Sequence, residues 1–240
     1  MCIRDSRYSP DRKGERPREH LAGYAGWLHA DAYPGYNALT TAKGGKPPRA
    51  AHVACMAHAR RQLFKVYETA KSPIAEEGLR RIGELYAIEA AINGRPPEQR
   101  RAARQAQSKP LLEALHAWMQ AQRRRLSGKS ALGKALQYAL SRWDALARYV
   151  EDGRLSIDNN LSERLLRGIA VTRKNFLFLG SDAGGQRAAT IYTIAETAKL
   201  NGLDPEAYIA AVLDRLAHGH PISRLDELLP WNFKPQLQPM

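Results

Sequence analysis

Strand-like and helix-like segments share this chain, which predicts an α/β fold with a long all-helical stretch in its middle. Three observations carry the prediction. Gly26-Trp27-Leu28-His29-Ala30 reads as a short strand that runs into Asp31 and then into a turn centred on Pro34-Gly35. Residues 51–61, Ala-His-Val-Ala-Cys-Met-Ala-His-Ala-Arg-Arg, give a brief apolar run passing into a helix. Between Pro73 and Gly153, apolar residues recur at helical spacing.

In that middle stretch, Leu79, Ile82, Tyr86 and Ile92 mark one stripe, ended by Asn93-Gly94. Pro96-Pro97 opens the next helix, rich in arginine through Arg104, and Pro110 is expected to break or kink it. Leu111, Leu115, Trp118 and Met119 line a further face. Ser130 is placed to cap a last helix bearing Leu132, Leu136, Leu140, Trp143, Ala147 and Val150. These stripes read as core. Arg100, Arg101 and Arg104, and the run Arg123-Arg124-Arg125 with Lys129, form basic faces that suit either solvent or DNA.

Further on, Ile157-Asp158-Asn159-Asn160-Leu161-Ser162-Glu163-Arg164-Leu165-Leu166-Arg167 sets a carboxylate, amides and guanidiniums on consecutive turns of a helix. Asn159, Asn160, Glu163 and Arg167 share one face. The plain reading is a surface helix capped by Asp158, with Glu163 and Arg167 as an (i, i+4) ion pair. Asn175 to Leu179 is another strand candidate. Gly180-Ser181-Asp182-Ala183-Gly184-Gly185 then reads as a glycine-rich loop leading into a helix from Gln186 to Leu200. Such a loop is either a simple connection or a phosphate contact flanked by Arg173, Lys174 and Arg187. It matches neither GxGxxG nor GxxxxGK[ST]. Asp204-Pro205-Glu206 begins a final helix with cap and proline in favoured places, and Tyr208, Val212 and Leu216 give it an apolar face.

With 240 residues and 44% hydrophobic content, the chain can bury a substantial core. Its 37 Lys and Arg against 24 Asp and Glu give a net charge of +13, which favours a polyanionic partner over a neutral small molecule. No apolar run approaches the roughly 20 residues that span a bilayer, and the polar N-terminus is not a secretory signal. Two cysteines, Cys2 and Cys55, make no disulfide framework, so a cytoplasmic setting is expected.

Four pieces in order, HADAYPGYNAL, HVACMAHARRQLF, DGRLSIDNNLSERLLRGIAVTRKNFLFLGSDAGGQRAATIYTIAETAKLNGLDPEAY and HPISRLDELLPWNF, resemble bacterial transposases of the insertion sequence 66 family from about Tyr8 to Phe233. The resemblance implies a ribonuclease-H-like core with an inserted all-helical subdomain and a helical C-terminal tail. It also implies an Asp-Asp-Glu triad holding two Mg²⁺ (or Mn²⁺) ions for cleavage and joining of double-stranded DNA, and a homo-oligomer on DNA. Carried over by position, Asp31 matches the second acid and Glu163 the third, each a metal ligand, with carboxylates expected within roughly 10 Å of one another.

The first acid of that pattern has no match, because only Asp5 and Asp11 precede Asp31 and both stand too close to it. Met1 to Arg7 has no family counterpart and reads like adapter or vector sequence. An N-terminally truncated transposase is the expectation, whose intact form cleaves and joins DNA at insertion-sequence ends; the alternatives are a catalytically inactive remnant that only binds DNA, the behaviour expected of the chain as it stands, and a helical scaffold for acidic proteins. The expected organisation is a leader (1–7), part of the catalytic core (8–72), a helical insertion (73–153) standing as its own unit, the rest of the core with the Glu163 helix (154–202) and a helical tail (203–240).

Arg60, Arg61, Arg164, Arg167, Arg173, Lys174 and Arg187 are candidate DNA contacts. Cys55 and His58 repeat a C-x-x-H signature found near the active site of several transposase superfamilies. By themselves they supply two of the four ligands of a structural zinc site, and a buried packing pair is the plain alternative.

Overall fold

A computed structural model of the chain describes residues 3–31, 33–42, 47–172 and 180–233. The described residues form a mostly helical α/β protein whose sheet has two strands. They fall into two compact units, one of residues 13–164 and one that joins the segment up to residue 12 to the chain from residue 165 onward.

In the larger unit, helix α1 (Glu15–His20) precedes strand β1 (Gly26–His29). A 3₁₀ turn at Pro34–Tyr36 and helix α2 (Asn37–Thr40) lead to strand β2 (Ala50–Val53). β1 stands where the sequence predicts a strand, and β2 falls at the start of the brief apolar run that the sequence marks only as leading into a helix. They pair in parallel with His29 opposite Val53, and the Ala30 N–H extends the ladder to the Val53 carbonyl at 3.1 Å. Parallel pairing sends both chains out of the sheet at one edge, so Asp31 and Cys55, each two residues past that last pair, leave from the same side. The outer side of β2 is closed by the helices: the Ala54 N–H meets the Ala145 carbonyl at 2.9 Å, and the Arg148 guanidinium donates to the His52 carbonyl.

Helix α3 (Met56–Ala70) buries Met56, Ala59, Leu63 and Val66, the three-and-four spacing that turns one face inward. Lys71 ends it in the left-handed region (φ 47°), and Ser72 caps helix α4 (Pro73–Ala91) through the Ala75 N–H. Where α3 and α4 meet, a Cβ on Gly78 would stand 3.0 Å from a methyl of Leu63, so glycine sets the close approach. Gly94, at φ 75°, turns the chain after α4 as expected.

Helix α5 (Pro97–Ala103) does not stop at Pro110. A π-helical turn at Arg104–Ser108 joins it to helix α6 (Lys109–Arg124), which places Pro110 in the opening turn of α6. The missing N–H and the ring clash of proline are absorbed by the widened turn, so the helix continues where a break was expected. Ser130 caps helix α7 (Ala131–Leu140), accepting from Gly133 N–H at 3.0 Å. The helix expected to run on to Val150 is instead divided at Ser141-Arg142 into α7, helix α8 (Trp143–Ala147) and a 3₁₀ turn at Arg148–Val150. These helices do not build a core of their own. Leu85, Met119, Leu136 and Leu146 belong to the same buried cluster as Val53 of β2 and Leu63 of α3.

Arg104 is the largest correction to the basic-face reading, since its side chain is wholly buried. Nε and Nη2 each donate to a Glu89 carboxylate oxygen at 2.7 Å. Nη1 donates to the carbonyls of Tyr149 and Asp152, and Nη2 also to that of Leu155. All five N–H groups are used, so this arginine ties α4 to the chain after α8 and is unavailable to DNA.

The second unit contains helix α10 (Asp182–Leu200), helix α11 (Pro205–Ala217) and a 3₁₀ segment at Ile222–Leu228; between the two units in sequence runs helix α9 (Asn160–Thr172). The expected glycine-rich loop is helical from Asp182, because Ser181 caps the N-terminus by accepting from the Gly184 N–H. Gly185 is required for packing: a Cβ there would lie 2.4 Å from the ring of Tyr8, whose hydroxyl donates to Asp182. With an aspartate in its first turn, this helix start is a poor phosphate site. Within the segment read as a foreign-looking leader, the Arg4 and Ser6 N–H groups meet Thr197 and Thr193 of α10. Asp204 caps α11 as predicted, and buried Tyr208 donates to the Leu228 carbonyl. The strand candidate at 175–179 lies outside the described residues. Among those described, no helix is long and apolar enough to cross a membrane.

Candidate active site

Asp31 follows β1 directly, and its Oδ1 accepts the Tyr33 N–H at 3.0 Å, a local turn that fixes the carboxylate at the strand end. It is exposed at the mouth of a cavity of about 580 Å³. Tyr33, Tyr36, His52, Arg142 and Arg148 also line that cavity. Burial, then the charge of Asp31, raises the Tyr36 hydroxyl above its ordinary value and keeps it a donor. His116, also in the lining, stacks on Trp143 with ring centroids 4.6 Å apart.

Glu163 is positioned by a different set of contacts. The Met56 N–H at the start of α3 meets the Ile157 carbonyl at 3.0 Å, and the Asn159 N–H points at Cys55 Sγ at 3.2 Å. Asp158 accepts the Asn160 N–H at 3.1 Å and the Tyr86 hydroxyl at 3.0 Å, so it organises the start of α9 and anchors it to α4. Burial and the Asp158 carboxylate push the Tyr86 hydroxyl far above its usual range, leaving it protonated as the donor. These bonds seat the first turn of α9 on the junction after β2. Glu163 therefore turns its carboxylate to α3, with Oε1 3.5 Å from His58 Nδ1 and Oε2 3.8 Å from Arg61.

Cys55 completes the cluster. One ligand atom each from Cys55, His58 and Glu163 lie within 4.8 Å of one another. His58 Nδ1 and Glu163 Oε1 are shut off from solvent and make no hydrogen bond, as the 3.5 Å between them lacks the required geometry. Burial raises the Cys55 thiol, opposed by the N–H groups of Asn159, His58 and Ala57 around it. The C-x-x-H pair, read from sequence as two ligands short of a site, thus gains a third from a distant helix. Among the described residues Asp31 is not part of this cluster.

Arg60 and Arg61 are exposed along a groove of about 550 Å³ shared with Phe64, Tyr86 and Asn160. Arg164, Arg167 and Arg187 are also exposed, while Arg173 and Lys174 lie outside the described residues. Sequence reasoning missed Tyr86, read as part of an apolar stripe, and the anchoring role of Asp158, read as a cap. The signal for both was one tyrosine hydroxyl on an otherwise apolar helix face.

An aspartate at one strand end, a glutamate brought to the junction after its parallel neighbour, and arginines beside it make an arrangement suited to cations and phosphates. Residues 6–187 match the transposase IS66 family, and residues 193–231 match the IS66 C-terminal element. The chain belongs to the IS66 transposase family. Among curated proteins it is similar to the uncharacterized protein y4hP of Sinorhizobium fredii, with 42% identity over 94% of this chain and 43% of that protein. Two others from that organism, y4qI and y4jD, are 36% and 38% identical over 95% of this chain and cover 43% and 45% of their own lengths. The chain thus spans less than half the length of these relatives. No solved structure matches it.

Proposed function

We propose that this chain carries the second and third acids of a DDE transposase, Asp31 and Glu163, on part of a ribonuclease-H-like core. The whole protein then cleaves and joins double-stranded DNA at the ends of an insertion sequence, as a homo-oligomer in the cytoplasm. The observation that supports this best is the seating of Glu163 beside Cys55, at the sheet edge from which Asp31 also departs. A single metal-dependent site needs acids from distant segments delivered to one edge.

The donor types fit in part. Asp31 and the Oε2 of Glu163 are hard oxygen donors of the sort Mg²⁺ takes, and Glu163 keeps 37% of its side chain exposed. When bound, Mg²⁺ supplies stabilisation of the attacking and leaving oxygens of an in-line displacement. The chain's own contribution is to hold the two carboxylates at fixed strand and helix positions. Arg60 and Arg61 offer guanidiniums along the neighbouring groove, where DNA phosphates bind.

The direct test is strand cleavage and DNA affinity measured side by side in the protein carrying all three acids. Asp31→Asn and Glu163→Gln should each abolish Mg²⁺-dependent cleavage and leave DNA binding nearly intact. Cleavage at the parent rate by either variant removes that residue from the site. A second reading, binding without chemistry, is favoured for the 240-residue chain alone, in which two acids match and a third does not. It should bind duplex DNA with an affinity that falls steeply as salt rises, and fail to cut.

A further inference from the structure

We propose that Cys55, His58 and Glu163 form a binding site for a divalent transition-metal ion of the zinc class, with a fourth position open to solvent. The site shares Glu163 with the catalytic reading but is argued from Oε1 and from Cys55 and His58, so metal binding and cleavage can fail independently.

The donors decide which ion. A thiol sulfur, an imidazole nitrogen and one carboxylate oxygen make a mixed soft and borderline set, which Zn²⁺ accepts and Mg²⁺ does not. The geometry is close to what such an ion needs. Bonds of about 2.0–2.3 Å place the ligands of a tetrahedral centre roughly 3.3–3.8 Å apart. His58 Nδ1 and Glu163 Oε1 already stand at 3.5 Å, and all three ligand atoms fall within 4.8 Å, so rotamer adjustments close the remainder.

Two of these atoms also lack any other use. His58 Nδ1 and Glu163 Oε1 are buried and unpartnered, and they face each other without a hydrogen bond. Buried polar atoms are rarely left so, and a shared cation satisfies both at once. Arg61 does not fill this role, because it addresses the other carboxylate oxygen at 3.8 Å.

Cys55 precedes the 15-residue helix α3, and the Asn159 N–H that points at its sulfur at 3.2 Å fixes where this ligand stands. Cys55 and His58 sit one helical turn apart, while Glu163 comes from α9, so the ion would pin α9 to the end of β2. Three protein ligands with Glu163 37% exposed leave room for water as the fourth.

Cobalt tests this, because Co²⁺ enters zinc sites and a thiolate ligand gives it a charge-transfer band in the near ultraviolet. The full 240-residue chain is used in a Cys2→Ser background, so that Cys55 is its one thiol. The expected result is one tightly bound Co²⁺ with the thiolate band and strong visible absorption, displaced by Zn²⁺ and not by Mg²⁺. Cys55→Ser should remove the band, and His58→Gln and Glu163→Gln should each weaken binding by at least about tenfold. Circular dichroism reports whether each variant is folded. A folded parent chain that shows no thiolate band overturns the proposal, as does a Glu163→Gln chain that binds Co²⁺ as tightly as its parent.

Discussion

Two charged clusters in the larger unit are built to opposite rules. On Arg104 every N–H is matched: five donors meet two carboxylate oxygens of Glu89 and three carbonyls, at 2.7–3.0 Å. Around Glu163 the groups are close but unmatched, with two buried atoms lacking partners and separations of 3.5 and 3.8 Å. The first arrangement leaves nothing free to bind anything else and holds the fold. The second keeps donors unspent, which is what a site for a ligand requires. Between these two residues, the satisfied charge of Arg104 marks structure and the unsatisfied charge of Glu163 marks the place where chemistry is expected.

The contrast makes its largest prediction at Arg104. Arg104→Ala leaves the Glu89 carboxylate, 11% exposed, without its bidentate partner, and should cost about 3–5 kcal/mol in urea unfolding. Replacing Arg104 and Glu89 together by methionine should not fully restore stability, because the Tyr149 carbonyl loses its donor, while those of Asp152 and Leu155 keep the Leu155 N–H and Arg100 Nη2. Full rescue would mean that the carbonyl cradle contributes little. Next in size, Tyr86→Phe removes the hydroxyl bond to Asp158 and should lower stability by about 1.5–3 kcal/mol, the range for a bond to a charged group. In the intact protein it should also reduce cleavage, since the start of α9 loses its anchor to α4.

A smaller effect is expected from pH. Burial lowers the His29 imidazole below its usual value, and its Nε2 is unpartnered. The unfolded chain therefore binds a proton near pH 6.5 that the folded chain refuses. Stability should be flat above that pH and fall below it, by at most about 1.4 kcal/mol per pH unit until the lower folded value is passed. The difference between parent and His29→Gln unfolding curves across pH isolates this residue, and parallel curves would refute it. Smallest of all, Glu163→Gln should change metal-free stability by less than about 0.5 kcal/mol, as expected for a half-exposed group without good hydrogen bonds. A loss comparable to that of Arg104→Ala would erase the distinction between the two clusters.

The first strand and two caps were legible in the sequence because each is a local signal. Trp27-Leu28 is a short apolar run ending at a chemically distinct residue, and Ser130 and Asp204 cap helices through bonds three residues long. What escaped was decided at distance. An arginine in a basic run looks solvated or DNA-facing until the carbonyls of residues 45, 48 and 51 positions away are folded over it. Likewise, nothing local says that Glu163 will meet Cys55 and His58, because the contact that seats α9 joins residues 104 apart. The glycines after Ser181 suggested a loop, as glycine disfavours helix by about 1 kcal/mol, and packing against Tyr8 overrode that preference.

The closure of β2 by Arg148 and Ala145 gives the small sheet a direction of growth. The His52 carbonyl and the Ala54 N–H on that flank are already engaged, so a further strand there would have to displace both. On the other flank, the residues described bring a single hydroxyl, that of Tyr24, to the Trp27 carbonyl. A pair of parallel strands is a minimal seed that is rarely left alone. Any strand recruited from elsewhere in a longer polypeptide, or from another molecule, is therefore more readily laid down beside β1. It would arrive as the immediate neighbour of the strand that ends in Asp31.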